Sequence, residues 1–208
     1  MGKRIQRLDA LDKVLGLARY TCDLAPKDAL RLKVVRSTVS HALIKGIDTQ
    51  PAKRVPGVLA VLTAQDIPGI NEAYALLPDR PLLASTKVRC YGEAIAVIAA
   101  EDYYTAEDAG DTISVDYERL PAVFSPVEAM NPDAVRVHDK GNVAKYLKVR
   151  KGDVKEGFSQ ADVIIENTYT TQFQDPTPLE TEVGMAWVER DGSITCVGSM
   201  QTPYYCLL

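Results

Sequence analysis

Gln201 is the residue whose type and position most suggest chemistry. It follows a segment predicted to be a strand, and Pro203, two residues later, forces the chain to leave any hydrogen-bonded ladder. A neutral side-chain amide in such a place can donate a hydrogen bond to an oxygen of a cofactor. Composition and spacing alone do not assign Gln201 that role.

Two histidines are the next candidates. His41 stands at the end of a predicted strand, and His138 stands beside Asp139 in a turn-rich segment. For each, one structural hydrogen bond or a surface position is a more common role than that of a switch or a ligand. The patterns HExxH, GxSxG and GxGxxG are absent from the sequence. With two histidines and no cysteine cluster, we expect no metal site within this chain.

Three glutamates could also do chemistry. Glu93 precedes the most apolar segment of the chain, where a carboxylate bonded to backbone amides is more common than a reactive one. Glu180 and Glu182 flank Thr181, so on a strand both would point to the same face. Paired carboxylates can do acid and base work, but a charged pair on an edge strand is the more common account.

The cysteines do not form a recognisable set. Cys22, Cys90, Cys196 and Cys206 are far apart, and no CxxC pair occurs. A disulfide framework, a zinc site and an iron–sulfur site all lack their usual spacing. We therefore predict four buried or idle thiols.

Charge and hydropathy exclude several classes of partner. The chain has 24 basic and 28 acidic residues, a net charge of −4, which argues against nucleic acid and anionic membranes. The densest basic run, 145–155, is predicted to be a solvated loop. No stretch approaches the roughly 20 apolar residues that span a bilayer, and no signal-peptide apolar region follows the basic N-terminus. We expect a cytoplasmic protein without a membrane partner.

The elements that would position these residues fall into two groups. In the first, strands are predicted at 30–36, 58–62, 94–100 and 112–117. A helix capped by Thr105 is predicted at 104–110. Short helical turns are predicted at 51–54 and at 64–66, the second of them capped by Thr63. The 94–100 strand is apolar throughout and should be covered on both faces. The strand–helix–strand order over 94–117 predicts a crossover unit, hence an α/β or α+β domain.

A proline-bearing, turn-rich connector at 120–149 separates this domain from the second group. There we predict a long strand at 161–172 and a hairpin of 184–189 and 193–198 around Arg190-Asp191-Gly192. The final residues look like the start of an element, so we expect 204–208 to be disordered or to pack on a neighbouring molecule.

Several segments, in order and spacing, resemble the N-terminal part of the molybdenum-binding (large) subunit of the xanthine dehydrogenase and aldehyde oxidase family. They are 16–23, 39–48, 56–69, 80–84, 88–93, 116–122 and 161–166. The similarity covers nearly all of residues 10–203. The resemblance implies an α+β fold class: an α/β-hammerhead domain at 1–122, a connector at 123–150, and the truncated start of a mixed α+β molybdopterin-binding domain at 151–208.

The resemblance also implies an activity. The full enzymes hydroxylate an N-heterocycle or oxidise an aldehyde with water as the oxygen source. Molybdopterin carries the reaction, and electrons pass through [2Fe–2S] clusters to FAD on partner domains or subunits. The implied partners are iron–sulfur and FAD subunits and the remainder of the molybdenum subunit, with homo-oligomerisation left open.

Gln201 matches the family position whose side chain approaches the molybdenum oxo group, and it is the one cofactor contact that carries over. The family's Gly-Gly-x-Phe-Gly stretch and its general-base glutamate would lie after Leu208, so we expect the chain alone to bind no cofactor and to be inactive. Pro176 stands where relatives often have His, and Thr181 where they have Pro, whereas Glu180 matches.

Three hypotheses follow from the resemblance. The chain is a fragment of a molybdenum hydroxylase subunit, or a short subunit of a split enzyme. Alternatively, it is a non-catalytic interaction module that binds iron–sulfur or FAD subunits.

Overall fold

The computed structural model of the chain describes residues 2–73 and 79–200. The strands are β1 Arg31–Arg36, β2 Ala42–Asp48, β3 Val58–Thr63, β4 Lys87–Val88, β5 Ala94–Ala100, β6 Ser114–Arg119, β7 Gly184–Val188 and β8 Ile194–Gly198. The α-helices are α1 Ala10–Val14, α2 Gln50–Lys53, α3 Tyr103–Asp111, α4 Pro126–Ala129 and α5 Val154–Ser159. Short 3₁₀ helices occupy Thr21–Leu24 and Ala64–Asp66.

Two three-stranded sheets make up the first domain, in the orders β1–β5–β3 and β4–β2–β6. The predicted strands at 30–36, 58–62, 94–100 and 112–117 are therefore confirmed, with small shifts at their ends. β5 is the central strand of its sheet, and its successive residues Ile95 and Ala96 are both fully buried. Because successive side chains of a strand point to opposite faces, β5 is covered on both faces there, as predicted.

Helix α3 covers one face of the β1–β5–β3 sheet and closes a small core. Ile98 of β5 packs with Val61, Ala52 and Ala109 in this core. Lys33 of β1 and Glu107 of α3 form an ion pair at 2.5 Å across the same face. This contact raises the pKa of Lys33 and lowers that of Glu107. A second core, between Ile95 and the β4–β2–β6 sheet, contains Ala42, Ala84 and Val88.

The helix caps differ in part from prediction. Asp102, not Thr105, caps α3, because its Oδ1 accepts hydrogen bonds from the backbone N–H groups of Tyr104 and Thr105. The Thr105 hydroxyl donates to the other oxygen of the same carboxylate. Thr63 stands at the predicted N-cap position of the turn at Ala64–Asp66, where Asp66 accepts a hydrogen bond from the Thr63 N–H.

The predicted crossover unit is wrong. β5 and β6 lie in different sheets, and every named strand pair among the described residues is antiparallel. Helix α3 thus carries the chain from the centre of one sheet to the edge of the other. The fold class is α+β, as the resemblance implied.

The second part of the chain confirms one prediction and contradicts another. β7 and β8 form the predicted antiparallel hairpin, with Gly192 at a φ of +85° in its turn. The segment 161–172 forms no strand, and Val163 and Ile165 are 76% and 77% exposed. An extended segment becomes a strand only beside a partner that takes its hydrogen bonds, and no described segment pairs with 161–172.

The basic run at 145–155 is exposed throughout, as predicted, but its last two residues begin helix α5 and are not part of a loop. Within the described ranges, the helices are all too short or too polar to cross a membrane.

Candidate functional site

Gln201 and residues 204–208 lie outside the described residues, so the cofactor contact of Gln201 stays a prediction. Two residues before Gln201, Ser199 holds the chain in place through hydrogen bonds. The Ser199 N–H donates to the carbonyl oxygen of Val183 at 3.0 Å, and its hydroxyl accepts from the Val183 N–H at 3.1 Å. The same hydroxyl donates to the carbonyl oxygen of Thr181 at 3.1 Å. The exit of β8 is therefore fixed against residues 181–183.

Glu180 and Glu182 do not form an acid–base pair. Both precede β7 and lie outside any strand, so the predicted strand pair is wrong. The Oε1 atom of Glu180 accepts hydrogen bonds from the N–H of Thr21 at 3.2 Å and from its hydroxyl at 3.1 Å. Glu180 is half-buried in this contact, whereas Glu182 is exposed. Sequence reasoning missed the contact because 159 positions separate the two residues.

Glu93 is the strand-entry carboxylate that the sequence favoured. Its Oε2 accepts from the N–H of Arg89 at 2.6 Å, and its Oε1 lies 3.8 Å from the Arg89 guanidinium. The Glu93 side chain is only 10% exposed. These contacts fix the turn before β5 and account for the carboxylate of Glu93 as a structural group.

His41 is buried, with 4% of its surface exposed, and makes the single structural hydrogen bond predicted for it. Its Nδ1 lies 2.5 Å from the carbonyl oxygen of Pro121. Because a carbonyl only accepts, the proton is on Nδ1. The Leu120 N–H donates to the carbonyl oxygen of His41, so this residue ties the end of the first domain to the start of β2.

His138 lines a cavity of about 570 Å³ between two loops of the chain. One wall is formed by residues between Asn71 and Arg89, and the other by residues 138–144. Asn142 shapes the second wall, since its side chain bonds the backbone of Ala129, Val135 and Val137. His138 is half-buried at this wall, and its predicted surface role stays a prediction.

The charged lining of this cavity has both signs. Arg89 and Lys140 are accompanied by Glu72, Asp79 and Asp139. This balance favours neither an anion nor a cation. Sequence reasoning missed the cavity because its two walls, from Asn71 to Arg89 and from His138 to Ala144, are distant in the chain. The turn-forming Gly141-Asn142 was the one local signal.

The cysteines of the described segments are unpaired. Cys22, Cys90 and Cys196 lie at the surface, so they are not the buried thiols that were one part of the prediction, and their being idle stays a prediction. Partial desolvation of the Cys90 sulfur raises its pKa, and the nearby charge of Glu93 raises it further. Residues 2–73 and 79–200 contain no group of three His, Cys, Asp or Glu side chains that could hold a metal ion.

Comparison with known families divides the chain into two matches. Residues 15–121 match the family described as "Aldehyde oxidase and xanthine dehydrogenase, a/b hammerhead domain". Residues 137–207 match the molybdopterin cofactor-binding domain.

Curated relatives and solved structures agree with these matches. The nicotinate dehydrogenase large molybdopterin subunit of Eubacterium barkeri is 36% identical over 99% of this chain and 48% of its own length. A probable xanthine dehydrogenase subunit of Bacillus subtilis is 40% identical over 95% of this chain and 27% of its own. The aldehyde oxidoreductase of Desulfovibrio desulfuricans superposes with a TM-score of 0.81 at 34% identity, covering 94% of this chain and 23% of that one.

The fold and the matches define a hammerhead domain followed by sequence of a molybdopterin cofactor-binding domain. The chain belongs to the aldehyde oxidase and xanthine dehydrogenase family and corresponds to the N-terminal part of its molybdenum-binding subunit. It spans about half or less of the length of these curated relatives.

Proposed function

We propose that this chain serves in a molybdenum hydroxylase that oxidises an N-heterocycle or an aldehyde with water as the oxygen source. One observation carries the proposal: a hammerhead match at 15–121 is followed in the same chain by a molybdopterin cofactor-binding match at 137–207. The relatives named above are a nicotinate dehydrogenase subunit, a probable xanthine dehydrogenase subunit and an aldehyde oxidoreductase. Their names span both substrate classes, so the proposal includes both.

Gln201 is the residue of this chain that we propose to contact the cofactor. When bound, the molybdenum cofactor supplies the electron-accepting and oxygen-transferring chemistry. A side-chain amide can donate a hydrogen bond to an oxygen of that group and so hold it in a fixed orientation. The Ser199 contacts with Thr181 and Val183 support this role, because they fix the backbone two residues before Gln201.

The remaining parts of the proposal concern organisation. We propose a hammerhead domain at 1–122, a connector at 123–150 and cofactor-binding sequence from 151 onward. Iron–sulfur and FAD subunits are the proposed redox partners, which the word "subunit" in the relatives' names supports. The chain by itself is proposed to be inactive, because its described residues offer a scaffold without a catalytic base.

Isotope labelling tests the proposed reaction. The complex that contains this chain would be purified through an affinity tag on it and assayed with aldehydes and N-heterocycles in water enriched in ¹⁸O. We expect the label to enter the product from water. Label entering from dissolved oxygen instead would contradict the proposal. A complex that contains iron and flavin but neither molybdenum nor activity would favour the non-catalytic interaction module.

A further inference from the structure

Thr21 and Glu180 connect the two ends of the described chain. A single oxygen of the Glu180 carboxylate receives hydrogen bonds from the N–H and the hydroxyl of Thr21. We propose that Glu180 is a positioning residue whose carboxylate docks the cofactor-binding segment onto the N-terminal segment of the hammerhead domain. The docking itself is independent of the proposed function, and its consequence for the cofactor rests on that function.

The Thr21 side of the contact lies in a turn that has its own hydrogen bonds. Thr21 begins the short 3₁₀ helix Thr21–Leu24, and a reciprocal pair of bonds closes this turn. The Asp23 carboxylate accepts from the Tyr20 N–H at 2.9 Å, and the Asp23 N–H donates to the carbonyl oxygen of Tyr20 at 2.9 Å. These two bonds close the turn in which the two donors of Thr21 lie. Hydrogen bonds from such donors to an ionised carboxylate are stronger than those between neutral groups.

The Glu180 side of the contact leads directly to the exit of β8. Thr181, the next residue, accepts the hydroxyl hydrogen bond of Ser199 through its carbonyl oxygen. Ser199 also exchanges two hydrogen bonds with the backbone of Val183. A continuous series of contacts thus runs from Thr21 through Glu180 and Thr181 to Ser199. It ends two residues before Gln201.

Glu182 provides a matched comparison within the same segment. It has the same side chain and charge as Glu180 and lies two residues further on, but it is exposed. Replacement of either residue by alanine removes one negative charge from the same stretch of chain. A difference between the two variants therefore reports the contact with Thr21 and not the change in charge.

Residue-resolved amide hydrogen exchange on this chain tests the proposal. In Glu180→Ala we expect the Thr21 amide to exchange about tenfold faster or more, since its hydrogen-bond acceptor is lost. The Val183 amide should also exchange faster, and Glu182→Ala should leave both amides unchanged. Glu180→Gln keeps an acceptor oxygen and should restore part of the protection. Thr21→Val removes the hydroxyl bond alone and should loosen Val183 to a smaller extent.

Two results would overturn the docking role. One is equal exchange of the Thr21 amide in Glu180→Ala and Glu182→Ala. The other is a loss of protection at the β5 amides of Glu180→Ala as large as that at its Thr21 amide. That result would show that Glu180 contributes to general stability and not to this contact. The exchange measurement needs no cofactor. A purified complex without molybdenum would therefore contradict the proposed function and leave the docking role intact. In a molybdenum-containing holoenzyme, Glu180→Ala should lower the metal content per chain relative to Glu182→Ala, and equal contents would refute the cofactor-positioning role.

Discussion

Single buried or capping side chains fix the junctions of the first domain. His41 joins the start of β2 to the end of the domain through its bond to Pro121, and Asp102 starts α3 by capping its first turn. Both roles follow from residue chemistry once the neighbours are known. The His41 role could be predicted from the sequence as a structural hydrogen bond, whereas its acceptor, 80 positions away, could not.

His41→Ala should lower the free energy of unfolding by roughly 2–4 kcal/mol, because it leaves a cavity and an unsatisfied carbonyl at Pro121. Chemical denaturation of the chain measures this loss. His138→Ala, at the half-buried cavity wall, is the matched control and should cost less than about 0.5 kcal/mol. Similar losses for the two variants would show that the His41 contact is not structural.

Asp102 should give the first domain a pH dependence. Hydrogen bonds from the hydroxyl and then the N–H of Thr105 lower the pKa of this carboxylate in the folded chain. Its contribution is therefore present above the unfolded pKa of about 3.9 and is lost as the pH falls through the lower, folded value. Asp102→Asn keeps a capping side chain that does not titrate. As the pH falls from about 5 to about 3, the Tm of the wild type should therefore fall relative to the Tm of Asp102→Asn.

The control for this measurement is Asp108→Asn. Asp108 is exposed on the same helix, and its replacement should leave the pH dependence of Tm parallel to that of the wild type. If the Tm of Asp102→Asn also changes with pH in parallel with that of the wild type, the Asp102 carboxylate does not contribute to the pH dependence of stability.

Gln201 carries the prediction closest to the chemistry. In the holoenzyme, Gln201→Ala should lower the turnover rate by about 10²-fold, the usual effect of removing one oriented hydrogen-bond donor at a reacting group. Gln172→Ala changes the same side chain at an exposed position and should leave the rate unchanged. Steady-state assays with a saturating substrate compare the two variants. Equal turnover rates for Gln201→Ala and Gln172→Ala would show that Gln201 does not contact the cofactor.

At the scale of secondary structure, the success of the sequence predictions depended on how local each signal was. The continuous apolar run of β5 and the turn at Gly192 are local, and both elements form as predicted. The crossover over 94–117 failed because sheet membership depends on partners distant in sequence. Residues 161–172 have strand-forming side chains but no pairing partner among the described residues.

The core beneath α3 should be the most sensitive part of the first domain. Ile98 is fully buried there, and Ile98→Ala should cost about 2–5 kcal/mol in the free energy of unfolding. Leu32→Ala is the control, since Leu32 pairs with Ala99 in the same sheet and is 69% exposed. It should cost less than about 1 kcal/mol. Comparable losses in denaturant titrations would contradict the assigned core.

At the scale of the whole molecule, the chain combines a packed first domain with an exposed cofactor-binding part. The apolar side chains of Val163, Tyr169 and Phe173 are largely exposed, as are most residues between 143 and 182. The candidate site could be predicted from the sequence only through the family resemblance, because no single motif marks it. The contacts that support it, from Thr21 to Glu180 and from Ser199 to Thr181, join distant residues and emerged only from the fold.

The molybdenum content of the complex purified through this chain tests the central claim most directly. The claim is that the chain supplies part of a molybdopterin-binding subunit. Elemental analysis of the complex, with iron and flavin measured in the same sample, should give about one molybdenum per chain, since one cofactor serves one catalytic centre. A stable complex that contains iron and flavin but no molybdenum would contradict the claim.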